Sequence, residues 1–205
     1  FNSGYAVFNG LKRVIDFIEK FGFIDEDIQY LKSIGYKDDF LNYLKDLKFT
    51  GNIKSMQEGE LCFGNEPLLR VEAPLIQAQL IETILLNIIN FHTLIATKAS
   101  RIRQIALNDT LMEFGTRRGQ EIDAALWGAR ATFIGGFDST SNVRAGKLFD
   151  IPVSGTHAHA LVQTYGDEYT AFKKYAERHT NCVFLVDTFH TLKSGVPTAI
   201  KVAKE

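Results

Sequence analysis

The stretch LMEFGTRRGQEIDAALWGARATFIGGFDSTSNVRAGKLFDIPVSGTHAH, residues 111–159, decides the fold class. Leu111 to Phe114 is a short apolar run with strand character, broken at Gly115 and followed by Thr116-Arg117-Arg118. A helical pattern from Ala124 to Phe133 leads to Ile134-Gly135-Gly136-Phe137-Asp138, after which Ser139-Thr140-Ser141-Asn142 opens another helix. Ile151-Pro152-Val153 reads as a third strand, ending in Ser154-Gly155-Thr156-His157-Ala158-His159. Val183 to Val186 reads as a fourth, ending in Asp187-Thr188. The order β-α-β-α-β-α-β-α implies parallel strands joined by right-handed crossovers, an α/β fold.

Outward toward the N-terminus the texture differs. Tyr5 to Phe23 places Val7, Leu11, Val14, Ile15 and Ile18 at helical spacing, and Asp25-Glu26-Asp27 supplies the acidic first turn of a second helix through Leu31. Phe40 to Leu47 continues the helical pattern. Phe49 to Ile53, Leu61 to Phe63 and Leu68 to Glu72 are short strands punctuated by Gly51, Gly59, Gly64 and Pro67, so this part reads as a small α+β domain. Pro74 then starts an apolar stripe that predicts one long core helix to about Leu107, with a kink expected near Asn90-Phe91-His92.

Composition narrows the function classes. At 45% hydrophobic and 12% aromatic residues the chain can bury a core, and a formal net charge of -1 without a basic block gives no reason to invoke nucleic acid or a membrane surface. No apolar run is read as reaching the ~18–20 residues that span a bilayer. Two distant cysteines, Cys62 and Cys182, outside any CxxC pattern point to reduced thiols and a cytoplasmic setting. Phe1-Asn2-Ser3-Gly4-Tyr5 reads as mid-domain sequence, and Val196 to Glu205 as a helix without a following cap, so both ends are expected to be truncations.

Polar groups gather at the ends of the expected strands. Arg117, Ser141, His159 and Asp187 each follow a strand's last apolar position by a few residues, and in barrels and open α/β sheets those ends share one ligand-binding face. His157-Ala158-His159, if extended, would point two rings the same way, as a metal-ligand pair does. A third ligand would then be needed, and only His190 is plausibly placed. The alternative is one functional histidine beside an ordinary one. Ser139-Thr140-Ser141-Asn142 suits either a helix cap or an anion site made of hydroxyls and helix-start amides. Arg117 and Arg118 could hold such an anion bidentately. Asp187 could orient a histidine or simply cap a helix.

The ordered set FNSGYAVFNG (1–10), GNEPLLRVEAP (64–74), QLIETILLNIINFHTLIATKA (79–99), FGTRRGQ (114–120), IGGFDSTSNVRAG (134–146), VSGTHAHA (153–160) and the run 185–204 resembles the nicotinate phosphoribosyltransferases over nearly the whole chain. The resemblance implies synthesis of nicotinate mononucleotide and pyrophosphate from nicotinate and phosphoribosyl pyrophosphate, with Mg2+, coupled to ATP hydrolysis through a phosphorylated histidine. On that basis His159 is the phosphorylated residue and Asp187 its orienting carboxylate. Arg117 contacts the substrate anion, Phe114 stacks on the pyridine ring, and Thr140, Ser141, Asn142 and Thr156 complete the substrate-binding set. The implied architecture is a small sandwich-like α+β domain (1–73), a connecting helix (74–107) and the first half of an irregular, TIM-like α/β barrel (108–205), with members acting as homodimers.

Two departures stand out. The family's N-terminal segment and its later barrel strands have no counterpart here, so the 205-residue chain alone is expected to leave strand edges unpaired, to be poorly soluble and to be inactive. The usual DTYDT-like run reads Asp187-Thr188-Phe189-His190-Thr191, with a histidine at the second carboxylate. The competing readings are a non-catalytic fragment and a metal-dependent hydrolase using His157 and His159.

Overall fold

The computed structural model describes residues 4–205. Phe1, Asn2 and Ser3, which open the first family-like motif, lie outside the described residues. In chain order the elements begin with strand β1 (Ala6–Val7) and helices α1 (Leu11–Ile18), α2 (Asp25–Ser33) and α3 (Asp38–Lys45). Strands β2 (Asn52–Ser55), β3 (Leu61–Cys62) and β4 (Leu69–Glu72) lead into the long helix α4 (Leu75–Ala106). Then follow β5 (Met112–Glu113), α5 (Ile122–Ile134), β6 (Ser139–Thr140), α6 (Val143–Phe149), α7 (His159–Tyr165), α8 (Glu168–Ala176) and α9 (Val196–Lys204). The protein is a mixed α/β structure. Its contacts divide it into two compact units, residues 1–152 and 153–205, so the division falls inside the segment assigned from sequence to the barrel half.

In the first unit α4 is the central element, and it runs without interruption through Asn90-Phe91-His92, where a kink was expected. It buries Gln77, Ile81, Leu85, His92, Thr93, Ala96, Thr97 and Ala99, a three-to-four-residue spacing that keeps one stripe inward. The helix is long and apolar enough by length and composition to cross a membrane, contrary to the sequence expectation. It packs instead against α1, β1 and α5, as the core helix of a globular unit does.

Two buried threonines of that stripe act as hydrogen-bonding partners for a strand. β1 pairs antiparallel with β3, Ala6 opposite Cys62 and Val7 opposite Leu61. On its other side the Val7 N–H donates to Thr97 Oγ1 at 2.9 Å and the Asn9 N–H to Thr93 Oγ1 at 3.2 Å. Helix hydroxyls thus replace a missing neighbouring strand, meeting the demand that buried backbone donors be paired. The single helix expected over 5–23 is therefore a strand followed by a helix. Gly10, at φ 111°, makes the break in a conformation that a side chain would strain.

The antiparallel pair β2/β4 covers Val14, Ile81 and Leu85 with Ile53, Leu69 and Val71. α2 and α3 close a separate small core of Ile28, Leu41, Leu44 and Leu47. β5 and β6 run parallel, Met112 opposite Ser139 and Glu113 opposite Thr140, joined through α5 as a βαβ unit. Arg103 sets their start. Its guanidinium donates to the carbonyls of Leu107 (3.0 Å) and Asp109 (2.8 Å) beyond the end of α4 and pairs with Asp138 at 2.5 Å. Asp138 in turn accepts from the Leu111 N–H at 2.7 Å.

Three strand expectations change. Ser139-Thr140 does not open a helix; it is β6, and the helix starts at Val143 with Asn142 as its cap. Ile151-Pro152-Val153 forms no ladder strand, only an isolated bridge at Val153, and 182–187 takes no regular secondary structure. A strand is defined by its partner, and apolar composition alone does not supply one.

The second unit, 153–205, packs Val162, Ala171, Phe172 and Val202 with Phe184 and Val186. The turn Thr191–Gly195 lies so close to residue 186 that a Cβ on Gly195 would overlap the Val186 carbonyl oxygen. Only glycine permits that approach.

Glu58 and Arg130 form the best-buried ion pair of the first unit, bidentate at 3.0 and 2.6 Å. Glu58 Oε1 also accepts the N–H of Gly10 at 2.9 Å and of Lys12 at 3.4 Å, so this carboxylate caps α1 from a distant segment. Burial pushes the Glu58 carboxyl up. The Arg130 hydrogen bonds and charge, with the two amides, more than offset that and hold it below its ordinary value near 4.5. Because the folded-state pKa is depressed, the stabilisation is full above about pH 4.5 and is lost as pH falls through the folded value. Glu58→Ala is expected to lower the unfolding free energy by about 2–4 kcal/mol at neutral pH, by leaving Arg130 and two amides unpaired. Glu58→Gln should flatten the acid-side loss of stability. Denaturant titrations at a series of pH values measure both, and an unchanged acid limb in the glutamine variant would remove Glu58 from this role.

Candidate functional site

In the second unit the histidine pair separates into two environments. His157 is 7% exposed, with its ring centroid 5.4 Å from Phe172 and 5.0 Å from Tyr175. Its Nε2 accepts the Leu185 N–H at 3.0 Å, and its Nδ1 faces the Ala158 carbonyl at 3.3 Å, so the proton sits on Nδ1. Both ring nitrogens are used, and the ring ties the 153–158 segment to the 183–187 segment. His159 is the first residue of α7 and stands half exposed. Its Nδ1 lies 3.1 Å from Thr188 Oγ1 and its Nε2 3.7 Å from Asp187 Oδ1.

Ala158 between the two rings is itself extended, at φ -94° and ψ 159°, yet the rings are committed to different partners, His157 to the Leu185 N–H and His159 to Thr188 and Asp187. No group of three or more His, Cys, Asp or Glu side chains that could hold a metal occurs among the described residues. His190, the expected third ligand, uses its Nδ1 to accept the Lys193 N–H at 3.2 Å and caps the turn 191–195. The hydrolase reading therefore loses its ligand set. Thr156 spends its hydroxyl on the His157 carbonyl at 2.8 Å and acts locally as a turn former.

In the first unit the candidates sit on the β5/β6 pair and the turns after it. Phe114 is 44% exposed, and Arg117 lies on a single exposed 3-10 turn, Thr116–Arg118, where an incoming anion could reach it. Thr140 is buried, with its hydroxyl donating to Glu113 Oε2 at 2.5 Å and accepting the Asn142 N–H at 3.0 Å. The Ser141 N–H donates to the Glu113 carbonyl at 2.9 Å, which leaves the Ser141 hydroxyl uncommitted among the described residues. Asn142 Oδ1 accepts the Ala145 N–H at 3.0 Å, so the helix-cap role belongs to Asn142 and not to Ser141. Arg117, Phe114, Thr140 and Ser141 are thus gathered around one strand pair, while His159, Asp187 and Thr188 form a second cluster in the other unit.

Sequence reading missed Glu113 and Thr188. Glu113 was hidden inside an apolar strand, though an acidic residue one position before Phe114 in Met112-Glu113-Phe114 was a readable signal. Thr188 was visible beside Asp187, but nothing in a linear pattern says that its hydroxyl reaches the ring of His159. Cys62 and Cys182 are both free.

Residues 1–90 match the family model described as the nicotinate phosphoribosyltransferase (NAPRTase) N-terminal domain. The chain is 65% identical over 206 aligned residues to nicotinate phosphoribosyltransferase of Bacillus subtilis, across 100% of this chain and 42% of that protein. It superposes on human nicotinic acid phosphoribosyltransferase with a TM-score of 0.86 at 30% identity, covering 98% of this chain and 50% of that one. On nicotinate-nucleotide pyrophosphorylase of Pyrococcus furiosus the TM-score is 0.75 at 27% identity, with coverage of 99% and 45%. The chain spans about half the length of the proteins it matches. An ordered set of motifs, a matching domain model and a matching backbone agree, and the chain belongs to the nicotinate phosphoribosyltransferase family.

Proposed function

We propose that the protein carrying this chain joins nicotinate to phosphoribosyl pyrophosphate, releasing nicotinate mononucleotide and pyrophosphate, and couples the reaction to ATP through His159. The observation that carries this reading is the division of the two histidines: His157 is consumed by packing and backbone bonds, whereas His159 is half exposed with Asp187 and Thr188 at its two ring nitrogens. A carboxylate facing Nε2 favours the ring tautomer protonated there and leaves the lone pair on Nδ1. Phosphorylation then forms an Nδ1–P bond as the bond to the ADP oxygen breaks. The Thr188 hydroxyl, which holds Nδ1 beforehand, gives up that place. The Asp187 carboxylate stabilises the cationic ring that the attack creates.

At the β5/β6 pair, Arg117 would hold the nicotinate carboxylate bidentately and Phe114 would stack on the pyridine ring, while Ser141 offers a neutral hydroxyl. Orientation and fixed donors suffice for this transfer, since the ribosyl centre develops positive charge as pyrophosphate leaves and needs no covalent protein nucleophile. Beside His159, exposed Asp187 is a carboxylate that would share a magnesium ion held mainly by phosphate oxygens, and the ion would neutralise charge on the phosphates of ATP. We also infer that residues 108–205 contribute the opening part of an irregular α/β barrel, a reading supported by the parallel β5/β6 unit joined through α5. A homodimeric, cytoplasmic enzyme completes the proposal.

In the full-length protein incubated with labelled ATP, His159→Asn is expected to lose the acid-labile phosphate and the ATP stimulation, retaining slow uncoupled transfer, with unfolding free energy changed by less than about 0.5 kcal/mol. His157→Asn should keep the label on His159 but lose about 1–3 kcal/mol of stability, as a packed, doubly bonded ring is replaced. Peptide mass spectrometry under conditions that spare phosphohistidine reads the first, and denaturant unfolding the second. A label on His157 would overturn the assignment.

Ser141→Asp should weaken nicotinate use sharply and raise the nicotinamide-to-nicotinate ratio. A carboxylate a few ångströms from the substrate carboxylate costs on the order of a few kcal/mol at a partly buried site. Steady-state kinetics with both substrates decides, and an unchanged ratio would remove Ser141 from the pyridine site.

A further inference from the structure

The Glu113 side chain touches both segments carrying the pyridine-site candidates. Its Oε1 accepts the Gly115 N–H, and its Oε2 accepts the Thr140 hydroxyl at 2.5 Å. Its backbone carbonyl accepts the Ser141 N–H at 2.9 Å. From Gly115 the loop is carried forward by its own carbonyl, which accepts the N–H of Arg118 at 2.8 Å and of Gly119 at 2.9 Å. From Thr140 the network continues through the Asn142 N–H at 3.0 Å to the start of α6. The fit is close, since a Cβ on Gly115 would lie 2.7 Å from Glu113 Oε1 and would require that carboxylate to shift. Neither the Phe114 ring nor the Arg117 guanidinium has a hydrogen bond, ion pair or ring contact among the described residues, so backbone placement alone aims them.

We propose that Glu113 is a positioning residue for the pyridine-carboxylate subsite, clamping the Phe114–Arg118 loop to Thr140 and Ser141; this rests on the function proposed above. The negative charge of Glu113 is turned inward onto an amide and a hydroxyl and so does not face an acidic substrate. The clamp sets the separation between Arg117 and Ser141, on which recognition of a flat acid depends. Loss of the clamp therefore acts on nicotinate binding and not on the ATP-coupled step.

The test uses the full-length enzyme. Glu113→Ala is expected to raise the nicotinate KM about tenfold or more with kcat reduced less than about threefold and the ATP KM unchanged. Glu113→Gln should restore the nicotinate KM to within about threefold, because its carbonyl can accept from Gly115 while its NH2 donates to Thr140 Oγ1. Thr140→Val should raise the same KM, and the double variant Glu113→Ala/Thr140→Val should be no worse than the more impaired single one, as expected for residues acting through one contact. Trypsin cleavage after Arg117 and Arg118 gives a substrate-free readout, and Glu113→Ala should accelerate it several-fold. An unchanged nicotinate KM, additive single effects, an equal loss in every kinetic parameter without rescue by glutamine, or an unchanged cleavage rate would each overturn the clamp. Wild-type enzyme that makes no nicotinate mononucleotide would instead sink the function, with the cleavage rates still judging the clamp.

Discussion

One carboxylate, Glu58, joins three pieces of the first unit that are distant in sequence. It binds the Arg130 guanidinium from α5 and the amides of Gly10 and Lys12 at the start of α1, while its own segment leads into β3. Removing both charges from water is costly, and the two backbone amides that donate to Glu58 Oε1 beside the guanidinium help to offset that cost. The same economy recurs along α4, where Thr93 and Thr97 supply the outer edge of β1 with hydrogen bonds and Gln77 accepts the Thr50 N–H at 2.9 Å. Short strands of two to four residues have little ladder of their own. Backbone groups along the outer edge of β1 are satisfied by helix side chains, and the unit therefore draws on polar groups buried in an otherwise apolar stripe.

The candidate site follows a related logic. A histidine can be a structural part or a reactive one, and the difference here lies in exposure and in whether its nitrogens meet backbone groups or side chains. His157 is spent on the Leu185 amide and the Ala158 carbonyl within an aromatic pocket. That expenditure orders the segment ending in Asp187, and Asp187 is the residue that faces His159. The buried ring thus supports the exposed one without touching it. His190, where the family resemblance implies a second carboxylate, caps the following turn through its Nδ1.

Much of this was legible in the chain. The long apolar stripe from Leu75 to Ala106, the acidic start of α2 at Asp25-Glu26-Asp27 and a helix cap somewhere within Ser139-Thr140-Ser141-Asn142 all rest on local rules, and local rules are carried by neighbouring residues. The errors share one cause. Ala6-Val7 continued a helical pattern in sequence but became a strand because Cys62, Leu61 and two threonines of α4 offered it partners. Ile151-Pro152-Val153 and Val183 to Val186 had strand composition but no ladder among the described residues. Ser139-Thr140 was read as a helix start and became a strand opposite Met112-Glu113.

By itself, the sequence marked most of the helices, the acidic start of α2, the mixed α/β class and, through the ordered motifs, the family. Residue types also marked His159, Asp187, Arg117 and Ser141 as groups able to do chemistry. Only the tertiary structure decided which histidine keeps a free face, that Thr188 reaches its ring, and that Glu113 holds the loop of Phe114 and Arg117 against Thr140. The physical reason is that helix formation and capping are contacts between residues a turn apart. Strand pairing and the commitment of a polar side chain depend on residues tens of positions away, which a linear pattern does not bring together.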